Sequence, residues 1–113
     1  MTHTVASHFT KSDPAVHATY TAIVEAARQL GKVEEEAKKT SIHLVRTSAF
    51  AGVATQKQAL ILTLKAEKPI QSPRVRRAEQ ASAHRWHVEV RLTSPAEVDG
   101  ELRRWLAEAY ALA

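Results

Sequence analysis

The sequence predicts an α+β fold, a two-layer sandwich in which a four- to five-stranded antiparallel meander carries two long helices on one face and a short helix precedes the last strand. Two observations carry this expectation. Apolar residues recur at steps of 4, 3, 4 and 3 in Val16, Tyr20, Ile23, Ala27 and Leu30, and again in Val98, Leu102, Trp105, Ala109 and Leu112. That spacing lays one apolar stripe along a helix. Between Val33 and Thr93 the period falls to two, which sends alternate side chains to opposite faces of a strand.

Each element follows in order. Residues 1–11 are polar and aperiodic and read as a flexible arm that docks only through Phe9, leaving 12–113 as a single domain. Asp13 and Pro14 open the first helix, the carboxylate as cap and the proline at the first position, where no N–H is needed. Gly31 closes it in a left-handed conformation. Val33–Glu36 reads as a short charged edge strand and Lys39–Arg46 as a strand with Ile42 and Leu44 inward. Ala49–Thr55 follows, with Gly52 marking a bulge or a close backbone approach. Leu60, Leu62 and Leu64 form the inward row of the next strand. Ser72-Pro73 is read as the start of a short helix to Gln80. His84–Thr93 is the clearest strand, with Trp86, Val88, Val90 and Leu92 on one face. Ser94-Pro95-Ala96-Glu97 is a capping box, and a helix runs from it to the C-terminus, interrupted by Gly100 at a cost of about 1 kcal/mol.

Composition narrows the function classes. The 113 residues are 44% hydrophobic and 25% charged, as in ordinary globular domains. No apolar run approaches the ~20 residues of a membrane span, and no basic start with an apolar core suggests a secretory signal. With no cysteine, thiol chemistry and cysteine-ligated zinc are excluded, and a reducing cytoplasmic setting is expected. The formal net charge is +4, unevenly spread: Lys38 to Arg91 holds eleven basic and three acidic residues. Such a field attracts anions.

If both helices cover one sheet face, the other stays polar and open. Ser41 and His43 share that face, as do His87, Glu89 and Arg91, with Thr63 and Lys65 between them. Adding the adjoining basic segments gives the candidate ligand set Lys39, Ser41, His43, Arg74, Arg85, His87, Glu89 and Arg91. These residue types suit an anionic small molecule or an acidic protein segment, imidazole and guanidinium donating while Glu89 orients them. A solvated sheet surface is the plain alternative. An enzyme using His43, His87 and Glu89 for acid–base work is another.

No metal or cofactor is expected. His84 and His87 have the HxxH spacing, but on a strand their rings diverge. Nucleic acid is not favoured, because Trp86, Trp105 and Tyr20 fall in apolar rows and leave no stacking platform on the open face. Sequence-blind phosphate contact stays as an alternative, as does homodimerisation through the polar sheet face or the exposed strand Val33–Glu36. Phosphate-loop, nucleophile-elbow and zinc-protease motifs are missing.

The strings Lys38-Lys39-Thr40-Ser41-Ile42-His43-Leu44, Ser48-Ala49-Phe50-Ala51-Gly52-Val53, Ser72-Pro73-Arg74-Val75-Arg76 and His84-Arg85-Trp86-His87-Val88-Glu89-Val90-Arg91-Leu92 resemble a bacterial family of small domains, domain of unknown function 5655. The resemblance runs from about Asp13 to Tyr110 and includes the Ser94-Pro95-Ala96-Glu97-Val98 start. It implies a small bacterial α+β domain with no established activity, and it carries over no site residue.

Overall fold

The apolar rows of the strands and the stripes of the helices close on one another in a computed structural model that describes residues 3–113. Helix α1 spans Pro14–Arg28 and α2 spans Gly100–Ala111; strands β1 to β6 span Glu34–Ala37, Ile42–Val45, Ala49–Thr55, Leu60–Ala66, Val75–Ser82 and Arg85–Leu92. They form one antiparallel sheet in the order β1-β2-β3-β4-β6-β5. The first four strands meander, as short turns require. The segment after β4 then leaps outward, and β6 folds back into the gap between β4 and β5.

The core lies on one side of this sheet. Ile42, Leu44, Val53, Leu60, Leu62, Leu64, Val90 and Leu92 are buried against Val16, Ile23 and Ala27 of α1 and Leu102, Leu106 and Ala109 of α2. Both helices reach β4. Each leucine withdrawn from water contributes roughly 1.5–3 kcal/mol, so the inward row of β4 supplies much of the cohesion.

Several expectations are corrected. Among the described residues the sheet has six strands, where four or five were expected. The expected helix over Pro73–Gln80 is strand β5. Ser72 does organise a turn, its hydroxyl accepting from the Arg74 N–H at 3.2 Å. Beyond it, however, Arg76, Arg77, Glu79 and Gln80 offer no apolar stripe for a helix to bury, whereas β6 offers a ladder of backbone partners. Packing and pairing override propensity here. The final helix is split as well. The capping box at Ser94 and Glu97 closes only a 3₁₀ turn over Pro95–Glu97, and the chain leaves helical geometry at Val98. Asp99 then starts α2 by accepting from the Leu102 N–H at 3.0 Å. Gly100 is therefore the first residue of the helix and interrupts nothing.

The arm is tied down within the described residues, while Met1 and Thr2 of that segment lie outside them. A 3₁₀ turn over Ala6–Phe9 buries Phe9, whose ring stacks on His17 at 4.4 Å and tilts against Tyr20 at 5.2 Å. Asp13 makes no side-chain cap, and its N–H donates instead to Lys57 O at 2.7 Å. Leu30, expected in the core stripe, lies past the end of α1 and is 40% exposed. Trp86 is only half-buried, since its place on β6 is opposite Ala66 and Gln80 at the far end of the sheet.

Gly31 is needed for two reasons. It lies beyond the helix end with φ of 152°, and a Cβ there would collide with the Tyr110 hydroxyl. Tyr110 donates that hydroxyl to Lys32 O at 3.0 Å, packs edge-on against Phe50 at 5.2 Å and carries the Arg46 guanidinium 4.5 Å above its ring. One aromatic thus joins α2 to the α1–β1 and β2–β3 connections. Gly31→Ala should cost more than about 1 kcal/mol in urea unfolding, whereas Gly52→Ala, where a Cβ meets nothing nearer than His43 Cδ2 at 3.7 Å, should be neutral or stabilising.

A candidate anion-binding hollow on the open sheet face

The sheet face away from the helices is built by parity. Glu36, His43, Gly52, Thr63, Glu89 and Arg77 stand opposite one another across all six strands, and Lys65, His87 and Glu79 form part of the next row. Between the rows lies a hollow of about 340 Å³ lined by Ser41, His43, Thr63, Lys65 and His87, among others.

Its floor is β3. The register slips at Val45, which faces Ala49 while Leu44 faces Ala51. Phe50 is the extra residue of this bulge and turns into the core, where it is buried. The bulge thus falls at Phe50 and not at Gly52. The outward positions of β3 are left to Ala49, Gly52 and Ala54, all of which line the hollow. Small residues there leave a depression between the larger side chains of β2 on one side and of β4 and β6 on the other.

The hollow is cationic because the carboxylates nearby are already matched. Glu36 pairs with Lys38 at 3.3 Å, Glu79 with Arg77 at 2.6 Å and Glu89 with Arg76 at 3.8 Å. Among the described residues, no carboxylate lines the hollow. Lys65 donates to the Ser48 hydroxyl at 3.0 Å and makes no ion pair among the described residues. The Lys65 ammonium, two imidazoles and two hydroxyls therefore surround a space that no carboxylate of the described residues lines.

The candidate set separates accordingly. Ser41, His43 and His87 meet around the hollow, together with Thr63 and Lys65. Glu89 is on the same face but engages Arg76. Arg91 stands one row beyond, opposite Ile61, and Arg85 lies at the β5–β6 turn donating to His84 O at 2.9 Å. Lys39 is exposed in the β1–β2 turn. None of these last three lines the hollow. His43 and His87 are separated by β3 and β4, a backbone span of about 14 Å at three strand spacings. No three His, Asp or Glu side chains converge as a metal-ligand group among the described residues. The floor of small residues is what sequence reasoning missed; its signal is the short side chains of Ala49, Gly52 and Ala54.

Arg74 belongs to a different place. It reaches the start of α2, donating to Asp99 Oδ1 at 2.9 Å, Glu101 Oε1 at 3.2 Å and Glu97 O at 2.7 Å, with its guanidinium 5.7 Å over the Trp105 ring. It is a structural clamp on the helix side of the sheet, so it does not join the open-face set. Partial burial opposes its charge, but the Asp99 and Glu101 carboxylates outweigh that and raise its pKa. Asp99 is held below its ordinary range by the Leu102 N–H and then by Arg74. At Glu97 burial pushes upward, yet the Thr93 and Ser94 donors prevail and lower it.

A family model described as Domain of unknown function (DUF5655) matches residues 5–113. The chain belongs to that family. This DUF5655 domain occupies essentially all of the chain, including both rows of the open face. No curated protein and no solved structure matches it. No helix of the described residues is long and apolar enough to cross a membrane.

The clamp makes a pH prediction. Lowered folded-state pKa values at Asp99 and Glu97 stabilise the fold above the ordinary carboxylate range, about pH 4, and that contribution drains away as pH falls through the folded values. Arg74→Met should cost about 1–2 kcal/mol at neutral pH in urea unfolding. The difference between Arg74→Met and the unaltered chain should shrink at acidic pH as the partners of Arg74 become protonated.

Proposed function

We propose that this DUF5655 domain is a non-enzymatic binding module that holds an anionic small molecule, through its carboxylate or phosphate-like group, in the open-face hollow. The observation that supports this reading best is Lys65, without an ion pair among the described residues, between the imidazoles of His43 and His87 in a hollow of about 340 Å³ that no carboxylate of those residues lines. That volume suits a small ligand. Lys65 supplies an ammonium, His43 and His87 supply ring N–H donors, and Ser41 and Thr63 add hydroxyl donors. The small floor residues accept the ligand's uncharged part.

An acid–base enzyme fits less well. The carboxylate it requires, Glu89, is ion-paired with Arg76 and does not line the hollow. The two imidazoles stand on opposite walls, separated by two strands, where neither can relay a proton to the other directly.

Sulfate is a suitable probe because its charge does not change near neutrality. Titration followed by backbone amide shifts should perturb His43, Gly52, Thr63, Lys65 and His87 together. Lys65→Ala should weaken binding about tenfold, equivalent to about 1.4 kcal/mol. Gly52→Val, which fills the floor, should abolish it without lowering the melting temperature. Shifts scattered over exposed lysines, or full affinity in both variants, would overturn the proposal.

A further inference from the structure

The two ends of the sheet are finished differently. Strand β1 has four residues, Glu34–Ala37, and places Glu35 on the helix side. There Tyr20 donates to one Glu35 oxygen at 2.6 Å and Arg28 to the other at 3.1 Å. Burial and the Glu35 hydrogen bond push the Tyr20 phenol up, which keeps it a donor. A short strand with inward-pointing charge resists the addition of another strand.

Strand β5 has none of these protections in its centre. It runs for eight residues, all exposed except the half-buried Val75, and contains no proline. Its one extensive neighbour is β6, so its other edge faces solvent. Between its two irregularities, Arg77, Ala78, Glu79 and Gln80 form a regular stretch with Arg77 and Glu79 on the open face. These two pair with each other at 2.6 Å along the strand, each about two-thirds exposed, at 62% and 63%.

We infer that two copies of this chain join edge to edge through β5, antiparallel and centred on Ala78. Antiparallel neighbours related by a two-fold axis perpendicular to the sheet must oppose residues of the same face. That rule admits few registers. Centring on Arg77 sets Arg77 against its own copy, and centring on Glu79 does the same with that carboxylate. Centring on Ala78 sets Arg77 against Glu79 of the second copy and Glu79 against Arg77 of the second copy. Arg76 then lies near Gln80 of the second copy. This register alone pairs unlike charges, and symmetry does so twice. The contact is self-complementary and closes after two chains.

The geometry has a consequence for the open face. A two-fold axis normal to the sheet keeps both sets of helices on one side. The row Thr63, Glu89, Arg77 therefore runs on into Glu79, His87 and Lys65 of the second copy, so the two hollows share one continuous polar surface. This inference does not depend on what, if anything, the hollows bind.

Sedimentation equilibrium of the full chain at low salt tests it. Between about 10 μM and 1 mM, the range in which a small polar edge contact should dissociate, the mass should climb from 12.5 kDa and level off near about 25 kDa. Arg77→Glu places like charges opposite each other at both symmetric contacts and should weaken association at least about tenfold. The exchange Arg77→Glu with Glu79→Arg should restore it. Melting curves of both variants should match the unaltered chain, since both positions are exposed. A monomer at every concentration, growth past the dimer without a plateau, or unchanged association of Arg77→Glu would each overturn the inference.

Discussion

One constraint organises the molecule: the continuous rows of large apolar side chains lie on one face of the sheet, where two helices cover them, while the other face carries only Val45, Ile61 and small residues among its polar side chains. Leu60, Leu62 and Leu64 on β4 are fully buried, and β4 is the strand both helices reach. Because side chains alternate, committing these three leucines inward commits Thr63 and Lys65 outward. The register of β4 with β3 and β6 carries the same choice to Gly52, Glu89 and His87. A slip by one residue would put Lys65 in the core and a leucine in water, so hydrophobic burial fixes the open face as firmly as the core.

How legible the structure is depends on whether an element has one wet side and one dry side. Strands β2, β4 and β6 and the stripes of both helices have such contrast, and the sequence predicts them closely. Strand β5 has none, since it lies at the sheet edge with both faces largely in solvent, and its Ala-Glu-Gln-Ala stretch mimics a helix. The split before α2 was equally hidden. A capping box at Ser94 and an Asp cap at Asp99 lie five residues apart, and only the tertiary grip of Arg74 on Asp99, Glu101 and Glu97 O distinguishes the two starts.

The site shows the same division. Parity alone places Ser41, His43, Thr63, Lys65 and His87 on the open face. Depth, in contrast, comes from the bulge that turns Phe50 inward and from three small outward residues on β3, which no periodicity reveals. The roles of Arg74 and Glu89 depend on long-range partners, Asp99 across the fold and Arg76 on the neighbouring strand. Basic residues near one another in sequence were therefore not one surface: Arg74 clamps a helix on one side of the sheet while Arg77 and Lys65 serve the other.

Nuclear relaxation caused by an inert, uncharged paramagnetic chelate in solution measures the one-sided architecture most directly. Strong enhancement at the side chains of His43, Thr63 and His87, with almost none at Ile42, Leu62 and Leu64, is the result this account predicts. Comparable protection of the two groups would mean that something covers the second face, and the open-face account would be contradicted.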